Sequence, residues 1–228
     1  TGTNGKTTTT ALLHHLLRNA GVDAGCAGNI GTSFAGAIAD AQQRPEGDHA
    51  IWVVEASSFQ LEDTHHFSPH VAILLNITPD HLDRHGDVEA YGDAKWNVTA
   101  RQTEADHLIV CADDPGLTAL RSRRRTKAQL HTVQWATPTE HMPNLAAHSI
   151  DNQRFTFLNP PFTMSMQELA LQGKHNLYNS MAAGVAARIL EINDADLRAG
   201  FTLFRNMEHR LEHVCDVNNI SFINDSKA

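Results

Sequence analysis

Apolar residues fall at helical spacing soon after the chain begins. Leu12, Leu13, Leu16 and Leu17 share one face, and Gly21 stands where such a helix would stop. Residues 22–27 predict a short strand. Two continuous apolar runs follow, 51–54 and 71–75, with a third at 108–110, as in strands buried on both faces of a parallel sheet. Helices are predicted near 33–43, 87–103 and 115–123. This alternation predicts a doubly wound, mostly parallel α/β sheet. From about 145 to 172 the pattern shortens and alternates (Arg154-Phe155-Thr156-Phe157-Leu158, then Pro160-Pro161), which predicts a small antiparallel β patch. Helices near 176–191 and 194–204 come next. The pattern then returns to strands at 213–217 and 220–223, joined by the turn pair Asn218-Asn219.

Composition narrows the function classes. The chain has 228 residues, enough for one large domain, and no apolar run approaches the ~20 residues of a membrane span. A net charge of −8 speaks against a nucleic-acid partner. The basic run Arg121, Arg123, Arg124, Arg125 and Lys127 reads as a solvated loop after a helix. Cys26, Cys111 and Cys215 are odd in number and far apart, which suits a reducing, cytoplasmic setting rather than a disulfide framework. The chain opens inside a motif and stops just after a strand-like run. We expect a piece of a longer protein.

That opening motif is Thr1-Gly2-Thr3-Asn4-Gly5-Lys6-Thr7, directly followed by helical periodicity. Glycines let backbone N–H groups turn toward a phosphate, and the helix N-terminus adds about half a positive charge. Lys6 can reach the outer phosphates of a nucleotide, and the Thr7 hydroxyl can ligate Mg²⁺. The loop alone leaves GTPase, kinase and ligase open. Glu55 ends the 51–54 run, where a second Mg²⁺ anchor commonly stands. His81 follows another buried run, within Asn76-Ile77-Thr78-Pro79-Asp80-His81-Leu82-Asp83-Arg84, and is a metal or phosphate candidate. His14, His15, His65, His66 and His131 read as surface residues. Lys95 shares helical spacing with Tyr91, Ala94 and Val98. Taken alone, it reads as a lysine whose stem lies along the core while its head reaches solvent.

Several short segments then fall in one order. They are Thr1 to Thr7, Gly28-Asn29-Ile30-Gly31, Glu55 to Leu61, Asn76 to Arg84, Ala94-Lys95, Gly173-Lys174-His175-Asn176, His209-Arg210 and Asn224 to Ala228. The ordered set resembles the Mur ligase family and covers nearly the whole chain. Within it, Ser57-Ser58-Phe59-Gln60-Leu61 resembles the branch that adds D-glutamate to UDP-N-acetylmuramoyl-L-alanine.

The resemblance implies a central ATP-binding domain, spanning 1–228, of a three-domain protein. The UDP-binding and amino-acid-binding domains would lie outside it. It implies ATP and Mg²⁺ as cofactors, peptidoglycan precursor synthesis through an acyl phosphate, a cytoplasmic location, no membrane or nucleic-acid partner, and a monomer. Gly2, Thr3, Asn4, Gly5, Lys6, Thr7, Asn176, Asn179, Arg210 and Asp225 would bind the nucleotide. Asn29, Gln60 and His81 would approach the UDP-muramoyl substrate. Thr7, Glu55, His81 and Lys95 (as a carbamate) would serve metal, and Lys6, His81, Lys95 and Arg210 would be catalytic. Lys227 would lie in the hinge toward the third domain. Alternatives remain: another Mur or folylpolyglutamate-type ligase, a phosphate-loop nucleotide switch, or an ATP-binding module without activity of its own.

Overall fold

The computed structural model describes residues 1–44, 49–135, 137–138, 142–151, 153–205, 212–217 and 220–224. The first helix, α1 (Lys6–Asn19), begins at Gly5, whose φ of 82° suits a residue without Cβ. Leu12, Leu13, Leu16 and Leu17 are all buried, each stabilising the fold by roughly 1.5–3 kcal/mol. The helix stops at Ala20 and Gly21 (φ 80°), as the sequence predicts.

Strand β1 (Ala24–Gly28), helix α2 (Phe34–Ala41) and strand β2 (Ile51–Glu55) form a right-sized crossover unit, with β1 and β2 parallel. Ser33 caps α2 by accepting from Gly36 N. A short helix, α3 (Ser58–Glu62), leads to β3 (Val71–Leu74), and a single turn, α4 (Leu82–His85), leads to α5 (Val88–Trp96). Then come β4 (His107–Cys111), α6 (Pro115–Arg123), β5 (Gln129–Gln134) and β6 (Leu145–Ser149). Strands β3 to β6 run parallel in chain order. Leu108, Ile109 and Val110 are fully buried, as a strand covered on both faces requires.

The antiparallel patch is present but is not a separate unit. Strands β7 (Arg154–Phe157) and β8 (Phe162–Ser165) extend the same six-stranded sheet, because β6 pairs with parallel β5 on one side and antiparallel β7 on the other. Helix α7 (Lys174–Ile189) packs on α1 and on β3 to β6, and α8 (Asp194–Leu203) packs on α1. Gly184 of α7 is required there, since a Cβ would stand 2.4 Å from the Phe157 ring. Phe157 stacks on Phe201 of α8 at 6.3 Å. The expected hairpin forms from β9 (Glu212–Val217) and β10 (Ile220–Asn224); its turn, Asn218-Asn219, lies outside the described residues.

The predicted helix 87–103 is shorter than its periodicity. It ends at Trp96 and passes into a 3-10 turn, Asn97–Thr99, where the Thr99 hydroxyl donates to Trp96 O. Among the described residues, β2 and β3 are not hydrogen-bonded to each other. An apolar cavity of about 220 Å³ lies between them, lined by Leu13, Val53, Ala72, Ile73 and Val98. No helix among the described residues is long and apolar enough to cross a membrane.

Candidate functional site

The opening loop is fastened to the segment that follows β3. Thr1 O accepts from Leu75 N, Thr3 N donates to Asn76 O, and Asn4 exchanges two hydrogen bonds with the Asn76 side chain (2.8 and 3.1 Å). The Thr3 hydroxyl donates to Thr78 O and accepts from Thr78 N. Gly2 and Gly5 both take positive φ, the backbone shape that turns amides into an anion-binding concavity. A Cβ on Gly5 would stand 2.4 Å from Asn179 Oδ1. The loop is thus pressed against α7, where Asn179 Nδ2 donates to Asn176 Oδ1. Thr7 lies in the first turn of α1.

Two lysines converge on one carbonyl. Lys6 Nζ donates to Gly2 O (3.1 Å) and Thr3 O (2.7 Å), and Lys95 Nζ donates to the same Gly2 O (2.9 Å). Lys95 is 1% exposed, so its head does not reach solvent. Its ammonium lies 4.5 Å from the Tyr91 ring centroid. Burial, and then the neighbouring Lys6 charge, lower its pKa from 10.5 to about 7.

Glu55, at the end of β2, is 3% exposed. Its Oε1 accepts from Asn29 Nδ2 at 3.0 Å, while its Oε2 is buried with no partner. An orphaned carboxylate oxygen is costly unless a cation or donor meets it, which suits a hard divalent ion. Gly28 permits the approach, since a Cβ there would lie 2.2 Å from Glu55 O. Among the described residues no three His, Cys, Asp or Glu side chains converge into a ready metal cluster. Of the expected metal residues, Glu55 therefore carries the strongest structural sign. Oxygen donors from Thr7 and a carbamate on Lys95 are of other types.

His81 is exposed and sits in the left-handed region (φ 53°, ψ 34°) as the N-cap of α4. Its ring lies 5.0 Å from Phe59 and 6.3 Å from Tyr91. Gln60 is exposed, and its Oε1 closes a capping box on α3 by accepting from Ser57 N at 3.0 Å. Asn176 donates to Gln172 O. Arg210, Asp225 and Lys227 lie outside the described residues.

The structure corrects three of the surface histidines. His14, His15 and His131 are half-buried, and His131 Nε2 lies 3.0 Å from His107 Nδ1 across β4 and β5. The basic run is not all loop: Arg121 and Arg123 form the last turn of α6, and only Arg124, Arg125 and Lys127 follow it, while Arg123 and Arg124 both clamp Asp93 of α5. Sequence reasoning gave no role to Asn76, which straps the loop, or to His85. Asn76's sign was its place at a strand end opposite the phosphate loop.

The Mur ligase middle-domain model matches residues 1–187. The chain belongs to the Mur ligase family. It is 42% identical over 229 residues to the UDP-N-acetylmuramoylalanine–D-glutamate ligase of Christiangramia forsetii, covering all of this chain and 49% of that protein. The ligase of the same name from Bacteroides thetaiotaomicron is 41% identical over 230 residues, again 100% and 49%. The chain thus spans about half the length of the curated relatives it matches. Among solved Mur ligases, MurF of Acinetobacter baumannii superposes with a TM-score of 0.71 at 20% identity, over 98% of this chain and 49% of that one. A UDP-N-acetylmuramoyl-L-alanyl-D-glutamate–2,6-diaminopimelate ligase gives 0.72 at 20%, over 95% and 47%. These superpositions establish the Mur ligase fold for the chain.

Proposed function

We propose that this chain is the central, ATP-binding domain of a Mur ligase that joins D-glutamate to UDP-N-acetylmuramoyl-L-alanine in peptidoglycan precursor synthesis. The observation that carries the reading is the meeting of Lys6 and Lys95 on Gly2 O, in a phosphate-type loop. The Ser57 to Leu61 stretch and the relatives' names favour D-glutamate over other amino acids.

The chemistry demands charge neutralisation before anything else. A carboxylate acylates poorly, so its oxygen first attacks the γ-phosphorus of ATP, ADP leaves, and an acyl phosphate forms. The D-glutamate amine then adds to the acyl carbon, and phosphate departs as the amide forms and the amine proton is lost. Both partners of the first step are anions. The loop amides, the α1 N-terminus and Lys6 would hold the phosphates and draw charge from them. Mg²⁺, held by Thr7 and Glu55, would supply further shielding of the phosphate oxygens. The Lys95 amine, near neutral at physiological pH, is suited to form a carbamate with CO₂, losing a proton and becoming an anion able to support a cation. Asn29, Gln60 and His81 are taken as the residues that the acyl substrate would approach, on the family pattern. Arg210 and Asp225 are taken as nucleotide contacts on the family pattern. The uridine- and amino-acid-binding parts are taken to lie outside this chain, in a cytoplasmic enzyme.

The test uses the complete protein with ATP and UDP-N-acetylmuramoyl-L-alanine. We expect phosphate release with D-glutamate and little with L-lysine or meso-diaminopimelate. Lys95→Ala is expected to lose most of this activity and regain part of it with acetate but not chloride. Equal turnover with L-lysine would overturn the substrate assignment; equal rescue by chloride would overturn the carbamate.

A further inference from the structure

The one-turn helix α4 cannot hold itself in place. Four residues are far below the length at which a helix is stable alone, and none of the four is buried. Yet it carries His81 at its N-cap in a left-handed conformation that a residue with a Cβ adopts only when its surroundings impose it. Its local ties are few: His81 N donates to Asp80 Oδ1 (2.9 Å), with the exposed His81 ring 3.6 Å from Asp80 Oδ2, Arg84 N and His85 N donate to His81 O, and Gly86 N donates to Leu82 O. The Arg84–Glu62 ion pair to α3 is exposed, and such pairs contribute little.

His85 supplies the stronger tie. Its Nε2 lies 3.1 Å from Ser58 Oγ, and Ser58 is 1% exposed. Its ring stacks on Phe59 (5.4 Å, 19° between planes) and tilts against Tyr91 (5.3 Å, 53°). Phe59 and Tyr91 are also the two rings that His81 touches. Tyr91 in turn lies under the Lys95 ammonium. His85 therefore sits behind the residues that wall His81, and joins them to α3, which begins just after Glu55.

We propose that His85 is a positioning residue. It locks α4 onto Ser58 and Phe59 and so holds His81 in its left-handed pose at the rim of the site. This rests on the reading of His81 as a group that works at that rim. Removing the His85 ring leaves a buried Ser58 hydroxyl without this partner and frees Phe59. His81 can then relax to an ordinary backbone shape and leave its working position, while the phosphate loop, strapped through Asn76 and Thr78, stays as it is.

The experiment is a double-mutant cycle in the complete enzyme, with kcat and KM measured separately for ATP and for the acyl substrate. His85→Ala is expected to lower kcat by about 10–10²-fold, the scale of a group displaced by about an ångström, with the KM for ATP within about twofold of the parent. The decisive comparison is His81→Ala with and without His85→Ala. If His85 acts through His81, the double variant is no slower than His81→Ala alone. Additive losses, or an unchanged rate in His85→Ala, would overturn the proposal. Should His85→Ala fail to fold, His85→Phe keeps the stack and loses only the Ser58 contact; the same cycle then decides. An unchanged rate in His81→Ala would instead count against the site reading, so the two failures are told apart.

Discussion

At the scale of single residues, Lys95 shows how a site is written across distance. The helical spacing turns it inward beside Tyr91 and Ala94, and it is found there. What spacing could not carry is its acceptor: Gly2 O lies 93 residues away in the chain, and only the folded loop brings it within reach. That is why the residue, taken alone, reads as an ordinary lysine. The folded pKa of about 7 lies below that of the unfolded chain, 10.5. Between those values the unfolded chain holds a proton that the folded protein lacks. Stability therefore rises with pH through that window, at up to about 1.4 kcal/mol per pH unit, and the full penalty of burying the charge stands below pH 7. Lys95→Met keeps the apolar stem and removes the charge. In urea unfolding at pH 6 the variant is expected to be the more stable by at least about 1 kcal/mol. The difference should shrink steadily from pH 7 to pH 10. A difference that does not change with pH would show that the amine is charged as readily in the fold as outside it.

At the scale of elements, the apolar runs predicted β2, β3 and β4, and the face of four leucines predicted α1, because each buries a continuous surface that its pattern must serve. Strand β5 left no such mark. Its residues, Gln129-Leu130-His131-Thr132-Val133-Gln134, mix polar and apolar, and Gln129 is exposed. Helices α3 and α4 are too short for a period to repeat, so they are made by caps and tertiary ties instead. Of the caps, Asp114 does most. Its Oδ1 accepts from Leu117 N to start α6 and from Ile77 N, 37 residues away, to hold the segment after β3. Asp114→Ala leaves both amides without that acceptor and is expected to lower stability by about 1–2 kcal/mol, the upper part of the range for a lost N-cap. Asp114→Asn keeps the acceptor and should lose much less. Thermal unfolding of the two variants side by side checks this. Equal losses would show that the negative charge, not the acceptor, is what matters.

At the scale of the whole molecule, a doubly wound sheet was legible from the alternation of elements. The merging of the antiparallel patch into that sheet was not, because pairing between β5 and β6 is decided by register rather than by composition. Nor was the division between β2 and β3, which leaves the Glu55 strand on one side and the phosphate loop's anchorage, Leu75 to Thr78, on the other. That division is a seam, and a seam gives a protein two clocks. The β1–β2 amides belong to a two-stranded ribbon; those of β4 have a bonded neighbour on each side. In hydrogen exchange the ribbon should breathe open and label sooner, and β4 last. A nucleotide held at Gly5 to Thr7 and joined through a divalent ion to Glu55 would act as a rivet across the seam. Adding ATP with Mg²⁺ should therefore slow labelling of β2 more than that of β4, and Lys6→Ala should abolish the slowing. Labelling of β2 and β4 at one common rate, with or without nucleotide, would mean that the seam does not open on its own.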